Sequence, residues 1–473
     1  MLVRALASRL GAEVIETHIS WVLLASETAY KIKKPVRLSF VDYASLAARR
    51  HFCEEELRLN RRLAPSLYLG LSTVTGTPGQ PAIDGPGPVL EYAVRMRRFP
   101  AGALFSEKAE AGTLRPAEVD DLAALLANFH DHARRAGAAA GFGAAPMRRS
   151  AALAALHGVQ PFAQEPEWTR LRDWMDAQAA LLAPLWQERK SGGWIRECHG
   201  DLHLDNLIAP PAGVAAFDGI EFDPALRWTD VLDDIAFAVM DFAAHGRRDF
   251  AFRLLNGWLD RIGGHETLPA LRFSLVYRAL VRAQVAGLRE DRARIRRYLD
   301  AASGWLEPTT PRLVITHGLP GSGKTFQSQG LLEREGAIRL RSDVERKRLF
   351  GLGMLQDSRA AGLEVYGRET TARTYERLLA GARSALAAGF TAILDAAYLR
   401  RAEREQARAL AVSLGVPFLI LHCEAPPETL RQRLLARRGD ASEADAGVLD
   451  RLEATAEPLA AEERGYFLGG SAS

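Results

Sequence analysis

The stretch "GLPGSGKT" at residues 318–325 decides the fold of the C-terminal part of the chain. It fits the pattern G-x-x-x-x-G-K-[ST], with the apolar segment "RLVITHG" (312–318) before it and a helical pattern after it. Glycines let the backbone wrap closely around phosphate oxygens, and the first N–H groups of a helix attract negative charge. The stretch therefore predicts a phosphate-binding loop between a strand and a helix.

The residues of this loop are candidates for contacts with ATP and Mg²⁺. We expect Lys324 to reach the β- and γ-phosphates and Thr325 to ligate Mg²⁺. Lys324 is one of seven lysines in a chain that otherwise uses arginine, which makes a compact ammonium group here informative. A glycine-rich turn without a ligand is the alternative. The predicted backbone contacts to phosphate come from Gly318, Gly321, Ser322 and Gly323.

Short apolar strands alternate with helical segments around this loop, at 337–342, 390–396 and 417–425. Such βαβ alternation predicts a parallel sheet with helices on both faces. Ligands of open α/β sheets lie at the carboxyl ends of the strands, where Asp343 and Asp395 stand. Asp395 is a candidate for holding Mg²⁺. Asp343 is a candidate proton acceptor for an attacking hydroxyl, with a helix N-cap as the alternative.

Two arginines downstream, Arg433 and Arg437, are four residues apart and share a helical face. We interpret them as cations that close over the transferring phosphoryl group, with a solvated basic face as the alternative. Over about 312–460 the chain resembles small P-loop kinases of the polynucleotide-kinase, zeta-toxin and gluconate-kinase type. The resemblance implies phosphoryl transfer to a hydroxyl, with Asp343 as base or acceptor ligand and the two arginines as lid residues. Such domains usually have one more strand after the lid helix, where only Tyr466–Leu468 is strand-like.

A second polar stretch, "CHGDLHLDN", occupies residues 198–206. Asp201 and Asn206 are five residues apart, as are the Asp and Asn of protein-kinase catalytic loops, and "FDG" follows with Asp218. Phosphoryl transfer needs a base near the acceptor and oxygen ligands for Mg²⁺. A zinc site that uses His199, His203 and Cys198 is one alternative, and a polar capped turn is another.

The N-terminal part alternates strands with one helix, which predicts a small antiparallel sheet. "AYKIKKP" (29–35) ends a strand, and we interpret Lys31 as the phosphate-binding lysine of a kinase N-terminal lobe. Lys33 shares its strand face by alternation. Glu55, in the helical stretch "FCEEELRLN" (52–60), is the predicted partner of Lys31. A surface cluster of lysines is the alternative.

The order of these elements resembles the aminoglycoside phosphotransferase-like kinases over about residues 14–300. The whole chain is similar to bacterial two-domain proteins that join such a kinase to a P-loop kinase. The resemblance implies that Asp201 is the catalytic base and that Asn206 and Asp218 bind Mg²⁺. No G-x-G-x-x-G loop precedes Lys31. A nucleotide-sensing, pseudokinase-like module that regulates the P-loop half therefore stays an alternative.

A length of 473 residues predicts two or three domains. We place a bilobal, aminoglycoside phosphotransferase-like α+β domain at 1–305, with an N-lobe at about 1–100 and a helical C-lobe at about 101–305. The Pro-containing segment 306–312 is the predicted linker. A P-loop α/β domain with a parallel sheet occupies 313–473.

The predicted partners are ATP and a small-molecule hydroxyl acceptor. A net charge of +3 does not favour nucleic acid or a membrane surface. Three distant cysteines and the lack of an apolar run of about 18 residues predict a cytoplasmic protein. Action of the P-loop half on a nucleic-acid 5′-hydroxyl or a nucleotide sugar stays an alternative. The sequence gives neither the acceptor nor the oligomeric state.

Overall fold

The computed structural model describes residues 1–38, 41–137, 139–211, 213–437 and 439–468. These residues form two compact units, which we describe separately. The first unit comprises Met1–Ala151 with Trp186–Asp241, and the second comprises Ala152–Leu185 with Phe242–Ser473. No helix within the described ranges is long and apolar enough to cross a membrane.

The first unit begins with a six-stranded antiparallel sheet in the order β1-β2-β3-β8-β6-β7. A separate two-stranded ribbon, β4 with β5, lies between β3 and the second helix in sequence. Strand β7 lies within the glycine- and proline-rich segment 76–88 and forms a hairpin with β6. The elements are α1 (Leu2–Leu10), β1 (Glu13–Glu16), β2 (Ser20–Leu24), β3 (Thr28–Lys33), β4 (Arg37–Leu38), β5 (Val41–Asp42), α2 (Leu46–Asn60), β6 (Tyr68–Thr77), β7 (Gln80–Ile83) and β8 (Val89–Arg97).

Helix α2 shows why one face of a charged segment is buried. Its N-cap Ser45 accepts a hydrogen bond from the Ala48 N–H at 3.0 Å, which fixes where the helix begins. Cys53 and Leu57, four residues apart, pack into the sheet core with Tyr68. Residues on this same buried face point at the sheet, and Glu56 is one of them.

The rest of the first unit is mostly helical, with two short antiparallel pairs, β9 with β12 and β10 with β11. Some helices between residues 145 and 244 contribute to both units. The elements are α3 (Phe105–Glu110), α4 (Pro116–His132), α5 (Ala145–Val159), α6 (Glu165–Ser191), β9 (Ile195–Glu197), β10 (Leu207–Ile208), β11 (Ala215–Ala216), α7 (Pro224–Arg227), β12 (Trp228–Asp230) and α8 (Val231–Ala244).

The second unit contains a four-stranded sheet in the order β14-β15-β13-β16, and all its strand pairs are parallel. The parallel sheet predicted from the βαβ alternation is therefore confirmed. The elements are α9 (Arg248–Ile262), α10 (Leu271–Leu288), α11 (Arg292–Gly304), β13 (Leu313–His317), α12 (Lys324–Glu335), β14 (Ile338–Arg341), α13 (Ser342–Arg348), α14 (Arg368–Ala387), β15 (Ala392–Asp395), α15 (Arg401–Ser413), β16 (Phe418–His422), α16 (Pro427–Ala436) and α17 (Ala446–Ala454).

Helix α9 covers the open edge of this sheet. The amide of Asn256 donates to Ala337 O at 2.9 Å and accepts from the Arg339 N–H at 2.6 Å, as a neighbouring strand would. Phe252, one turn earlier, packs against Phe390 with ring centroids 5.9 Å apart. Helices that precede residue 305 therefore belong to the core of the second unit, and the predicted boundaries at 305 and 313 stay a prediction.

The strand-like segment at 466–468 touches the edge of the sheet through one isolated bridge and forms no further strand among the described residues. Phe467 forms a single parallel bridge with Ile420 in β16, and the Leu468 N–H donates to Ile420 O at 2.9 Å. The Phe467 ring also stacks on His422, with centroids 5.3 Å apart. Within the described residues, the strand predicted after the lid helix is therefore reduced to this one bridge.

Candidate active sites

The stretch at 198–206, predicted to be a catalytic loop, folds into a tight polar turn. The Asn206 amide nitrogen donates to Asp201 O at 3.0 Å and to Asp201 Oδ2 at 3.2 Å. His203 Nε2 lies 3.2 Å from the same carboxylate oxygen. The five-residue step predicted from sequence therefore brings the Asp201 and Asn206 side chains into direct contact.

A buried carboxylate of α8, Asp234, holds this loop in place. It accepts hydrogen bonds from the His199 N–H (3.1 Å), the Gly200 N–H (2.8 Å) and His130 Nε2 (3.0 Å). Although burial favours the protonated acid, the hydrogen bond and charge of His130 lower the pKa of Asp234 to about 2. Gly200 has φ +87°, and a Cβ there would lie 2.9 Å from Leu226 O. The loop conformation thus depends on a glycine and on a distant helix.

The zinc alternative does not match this arrangement. Among the described residues, the buried group with ligand atoms within 4.8 Å of one another is His130, Cys198 and Asp234, without His199 or His203. Asp234 already accepts the three hydrogen bonds just described, and His199 Nε2 donates to Phe217 O at 3.0 Å. His199 therefore fixes the loop against the segment that carries Asp218.

Asp218 lies beside the phosphate-binding lysine predicted from sequence. It has φ +62°, and its N–H donates to the hydroxyl of Tyr68 at 3.0 Å. Its carboxylate accepts a hydrogen bond from Lys31 Nζ. The next N–H, of Gly219, donates to Asn60 Oδ1 at 2.7 Å, which ties the turn to the end of α2.

Glu56, and not Glu55, is the helix partner of Lys31, so the sequence prediction was wrong by one residue. Glu56 Oε1 lies 2.9 Å from Lys31 Nζ, and its other oxygen accepts from Lys33 Nζ at 2.7 Å. Glu55 instead pairs with Arg58 at 2.9 Å, because one residue along a helix turns a side chain by about 100°. The signal was the buried face of α2, which carries Cys53, Glu56, Leu57 and Asn60.

The buried charges around Glu56 compensate one another. Lys33 also donates to Glu221, and the Tyr43 hydroxyl donates to Glu221 at 2.6 Å. Although burial favours its protonated form, the ammonium groups of Lys31 and Lys33 lower the pKa of Glu56 to about 2. These lysines therefore do not form a surface cluster, which was the alternative considered from sequence.

The P-loop of the second unit has the backbone that its glycines predict. Gly321 has φ +87°, and a Cβ there would lie 2.8 Å from Leu430 O, so only glycine fits. Lys324 Nζ donates to Gly318 O at 2.8 Å and to Leu319 O at 2.9 Å. Burial lowers the pKa of Lys324. The ammonium group is thus held at the loop by carbonyl oxygens.

A cavity of about 950 Å³ collects most of the residues predicted for this site. Gly318 and Ser322 line a neighbouring cavity of about 690 Å³ instead. Asp395 is buried at the end of β15, where the Ser328 hydroxyl donates to it at 3.4 Å. The predicted residues along the larger cavity are Gly321, Gly323, Lys324, Thr325, Asp343, Asp395, Arg433 and Arg437.

Asp343 and the two arginines predicted to belong to a lid, Arg433 and Arg437, line this cavity from different elements. Asp343 lies in the first turn of α13, whose N-cap is Arg341, so the N-cap alternative for Asp343 was wrong. Arg433 Nη1 donates to Gly321 O at 3.0 Å and so reaches the P-loop directly. Arg437 follows the end of α16, with its Nε 3.7 Å from Asp440.

Sequence reasoning missed several arginines of the cavity. Arg346, a buried side chain, donates to Thr371 Oγ1 at 3.1 Å, and its guanidinium lies 5.0 Å from the Tyr366 ring centroid. The available signal was its spacing, because Arg346 lies three residues after Asp343 on the same face of α13. The other missed arginines that line the cavity are Arg341, Arg368, Arg400 and Arg451.

The residues predicted to hold Mg²⁺ offer oxygen atoms, which this hard cation prefers. In the second unit these are the Thr325 hydroxyl and the Asp395 carboxylate. In the first unit they are Asp218 and the Oδ1 of Asn206, whose amide nitrogen is turned to Asp201. Both donor sets therefore fit Mg²⁺, which would supply charge neutralisation at phosphate oxygens when bound.

A family model described as an AAA domain matches residues 313–459. Fold and site together define the class of protein: an α+β unit with an antiparallel sheet, joined to a P-loop α/β domain with a parallel sheet, as the sequence predicted.

The relatives narrow this class to one family. The chain is 32% identical over 455 residues to "Uncharacterized protein Rv2004c" of Mycobacterium tuberculosis (strain ATCC 25618 / H37Rv), which covers 93% of this chain and 89% of that protein. "Uncharacterized protein Mb2027c" of Mycobacterium bovis (strain ATCC BAA-935 / AF2122/97) matches with the same identity and coverage. The chain belongs to the family of these mycobacterial proteins.

Solved structures resemble separate parts of the chain. A choline/ethanolamine kinase family protein from Mesorhizobium loti matches with TM-score 0.42 and 11% identity, over 65% of this chain and 95% of that chain. A gluconokinase from Sinorhizobium meliloti 1021 matches with TM-score 0.26 and 17% identity, over 34% of this chain and 82% of that chain.

Proposed function

We propose that the chain is an ATP- and Mg²⁺-dependent phosphotransferase with two nucleotide sites, which transfers the γ-phosphoryl group to a hydroxyl of a small molecule. The cavity of the second unit carries this proposal, because it brings Lys324, Asp343 and Asp395 to one space. Phosphoryl transfer needs little covalent help from a protein beyond positioning and charge stabilisation, and these three side chains supply both.

Five residues around the cavity of the second unit have roles in this proposal. Lys324 leaves the loop carbonyls for the β- and γ-phosphates, while Thr325 and Asp395 hold Mg²⁺. Asp343 accepts the proton of the attacking hydroxyl as its oxygen bonds to the γ-phosphorus, while the bond from that phosphorus to the β–γ bridging oxygen breaks and ADP leaves. Arg433 neutralises charge on the transferring group from its place above the P-loop.

The arginines of the cavity favour an acceptor that itself carries a negative charge. Within the described ranges Arg346 and Arg368 form no ion pair with a carboxylate, and Arg346 is buried and fixed against Tyr366. A guanidinium group binds carboxylate or phosphate in a bidentate manner. We infer that the acceptor is a hydroxyl compound that also bears a carboxylate or phosphate group, a description that includes nucleotide sugars.

In the first unit, Asp201 is the proposed base and Asn206 and Asp218 the proposed Mg²⁺ ligands. Lys31, paired with Glu56, is the proposed phosphate contact. Because Lys31 also binds the Asp218 carboxylate, nucleotide and Mg²⁺ would have to separate this pair before both residues could act.

That ion pair favours a second candidate function for the first unit, a nucleotide-sensing module that regulates the P-loop site. A pair that closes the site to Mg²⁺ suits binding without turnover. The two candidates differ in the fate of phosphoryl transfer when Asp201 loses its basic carboxylate. Transfer would be lost at one acceptor in the first case and unchanged in the second.

The experiment incubates full-length protein with γ-labelled ATP, Mg²⁺ and metabolite pools, together with short DNA and RNA. Wild type is compared with Asp201→Asn, Lys324→Ala and a control, Arg334→Ala, which changes an exposed residue of α12. We expect label in an acidic small molecule, lost with Lys324→Ala and kept with Arg334→Ala. The proposal is abandoned if no acceptor is labelled and ATP turnover is the same in all proteins. If label appears on nucleic acid alone, the proposed acceptor becomes a nucleic-acid hydroxyl and not a small molecule.

A further inference from the structure

A carboxylate from outside the P-loop segment lies next to the P-loop site. Asp260, in α9, is buried, and its Oδ2 lies 3.8 Å from Arg339 Nη2 and 3.9 Å from Arg341 Nη1. Arg339 and Arg341 alternate along β14 and therefore point to the same side of the sheet. Asp260 is thus a shared counter-ion of two neighbouring cations.

Each of these arginines lies against a residue proposed to hold Mg²⁺. Arg341 Nε lies 4.0 Å from Asp395 Oδ2, and its Nη2 donates to Asp440 at 2.6 Å. Arg339 Nη1 donates to Thr325 O at 3.2 Å. The magnesium ligands of the second unit are therefore backed by two positive charges.

The position of Asp260 is fixed relative to β14. Asn256, one helical turn earlier in α9, bonds to Ala337 O and to the Arg339 N–H, which sets the register between helix and strand. A carboxylate placed this way can hold Arg341 without moving itself. An aspartate on a helix without such bonds to the strand would not keep Arg341 in one position.

We propose that Asp260 is a positioning residue of the P-loop site, which shares Arg341 with Asp395 and so keeps Arg341 from closing fully on Asp395, leaving this carboxylate available to Mg²⁺. The inference rests on the proposed function of the second unit. Without the Asp260 charge, Arg341 would keep two carboxylates, the half-exposed Asp440 and the buried Asp395. The attraction between charges is stronger in the buried environment, so Arg341 would shift to Asp395 and compete with the cation.

The test measures Mg²⁺ binding as well as turnover. In full-length protein that carries Asn206→Ala and Asp218→Ala, calorimetry gives the ATP affinity with Mg²⁺ and with EDTA. We expect Asp260→Asn to weaken the Mg²⁺-dependent part of ATP binding by about tenfold, as loss of an outer-shell partner does, with the affinity in EDTA unchanged. Asp249→Asn, on the same helix and paired with Arg247 at 2.8 Å, is the matched control and should bind like the parent.

A second variant separates positioning from a structural role. Arg341→Gln removes the cation that Asp260 holds, so adding it to Asp260→Asn should recover most of the Mg²⁺-dependent affinity. The inference is wrong if the double variant stays as weak as Asp260→Asn, or if Asp260→Asn binds like the control. Asp395→Asn identifies the level of failure: if it leaves Mg²⁺-dependent binding intact, the proposed function falls and the inference with it. If it removes this binding while Asp260→Asn does not weaken it, the inference alone falls.

Discussion

The two candidate sites differ in how their lysines are neutralised. In the first unit Lys31 lies between the carboxylates of Glu56 and Asp218. In the second unit Lys324 donates to carbonyl oxygens of its own loop. A carbonyl dipole compensates an ammonium group less completely than a carboxylate does, so the second site keeps more positive charge for an incoming phosphate.

This difference suggests that the sites are prepared for their ligands to different degrees. A nucleotide in the second unit meets Lys324, which donates to carbonyl oxygens of its own loop, whereas one in the first unit must displace Asp218 from Lys31. Binding that requires such a rearrangement is weakened by its cost. We therefore expect the second unit to bind ATP more tightly than the first.

Replacing Lys324 should have the largest effect and would test the prepared site directly. We expect Lys324→Ala to lower phosphoryl transfer at the second site roughly 100- to 1,000-fold, because it removes a charge-stabilising donor. Steady-state kinetics with labelled ATP measures the change. The matched control Arg334→Ala, on the exposed side of the same helix, should keep wild-type rates. Equal loss in both variants would mean that α12 is damaged and not the phosphate contact.

Glu56→Gln should break the compensated site of the first unit. The change leaves Lys31 and Lys33 buried beside a neutral amide, and loss of one partner from a buried pair costs about 3 kcal/mol of unfolding free energy. Glu55→Gln, one residue away, removes a partly exposed ion pair and should cost less than about 1 kcal/mol. Hydrogen exchange of β3 and β8 peptides in urea measures both. Similar losses would contradict the assignment of Glu56 as the helix partner.

A comparison of the P-loop with the helix partner of Lys31 shows which parts of the two candidate sites the sequence could predict. The P-loop is local: eight consecutive residues contain the glycines, the lysine and the threonine, so spacing alone predicts the backbone. Asp201 and Asn206 are also close in sequence. The partner of Lys31 required the rotation of α2, which is set by packing of Cys53 and Leu57 on the sheet and not by the run of three glutamates itself.

Contacts between distant segments were beyond the sequence. Asp234 supports the stretch at 198–206 from more than 30 residues away, and Asp260 reaches β14 from a helix that sequence reasoning assigned to the other domain. Neither residue has a motif, because a buried carboxylate becomes informative only when its partners are known. The parallel sheet followed from alternation of strands and helices, but the single bridge from Phe467 to Ile420 at its edge did not.

Acid should destabilise the second unit through a buried histidine. Burial lowers the pKa of His265 to about 4, against about 6.5 in the unfolded chain. As the pH falls, the unfolded chain therefore takes up a proton on His265 before the folded protein does. The stability contributed by the neutral, buried imidazole is complete above pH 6.5 and is lost as the pH falls toward 4. By pH 5 the loss from this group is about 2 kcal/mol. Hydrogen exchange of β13 and β15 peptides between pH 7.5 and 5 measures it.

His265→Leu should remove this part of the pH dependence and keep the part that comes from His317, whose pKa burial also lowers to about 4. His18→Gln, an exposed histidine of the first unit, is the control and should leave the pH dependence as it is. An unchanged pH dependence in His265→Leu would show that the imidazole is not the group that titrates.

The smallest expected effect concerns the edge of the second sheet. Asn256→Ala leaves Ala337 O and the Arg339 N–H without their side-chain partner at the edge of β14, and unsatisfied backbone groups of this kind cost about 1–2 kcal/mol. The loss should be local, since the other edge of β14 keeps its bonds to β15. Hydrogen exchange of a peptide over 337–341 should therefore quicken about tenfold while β13 peptides keep their rates. Asn128→Ala, an exposed residue of α4, is the control. If protection of 337–341 does not change, α9 covers the sheet through its apolar contacts alone, and the register that places Asp260 beside Arg341 does not depend on Asn256.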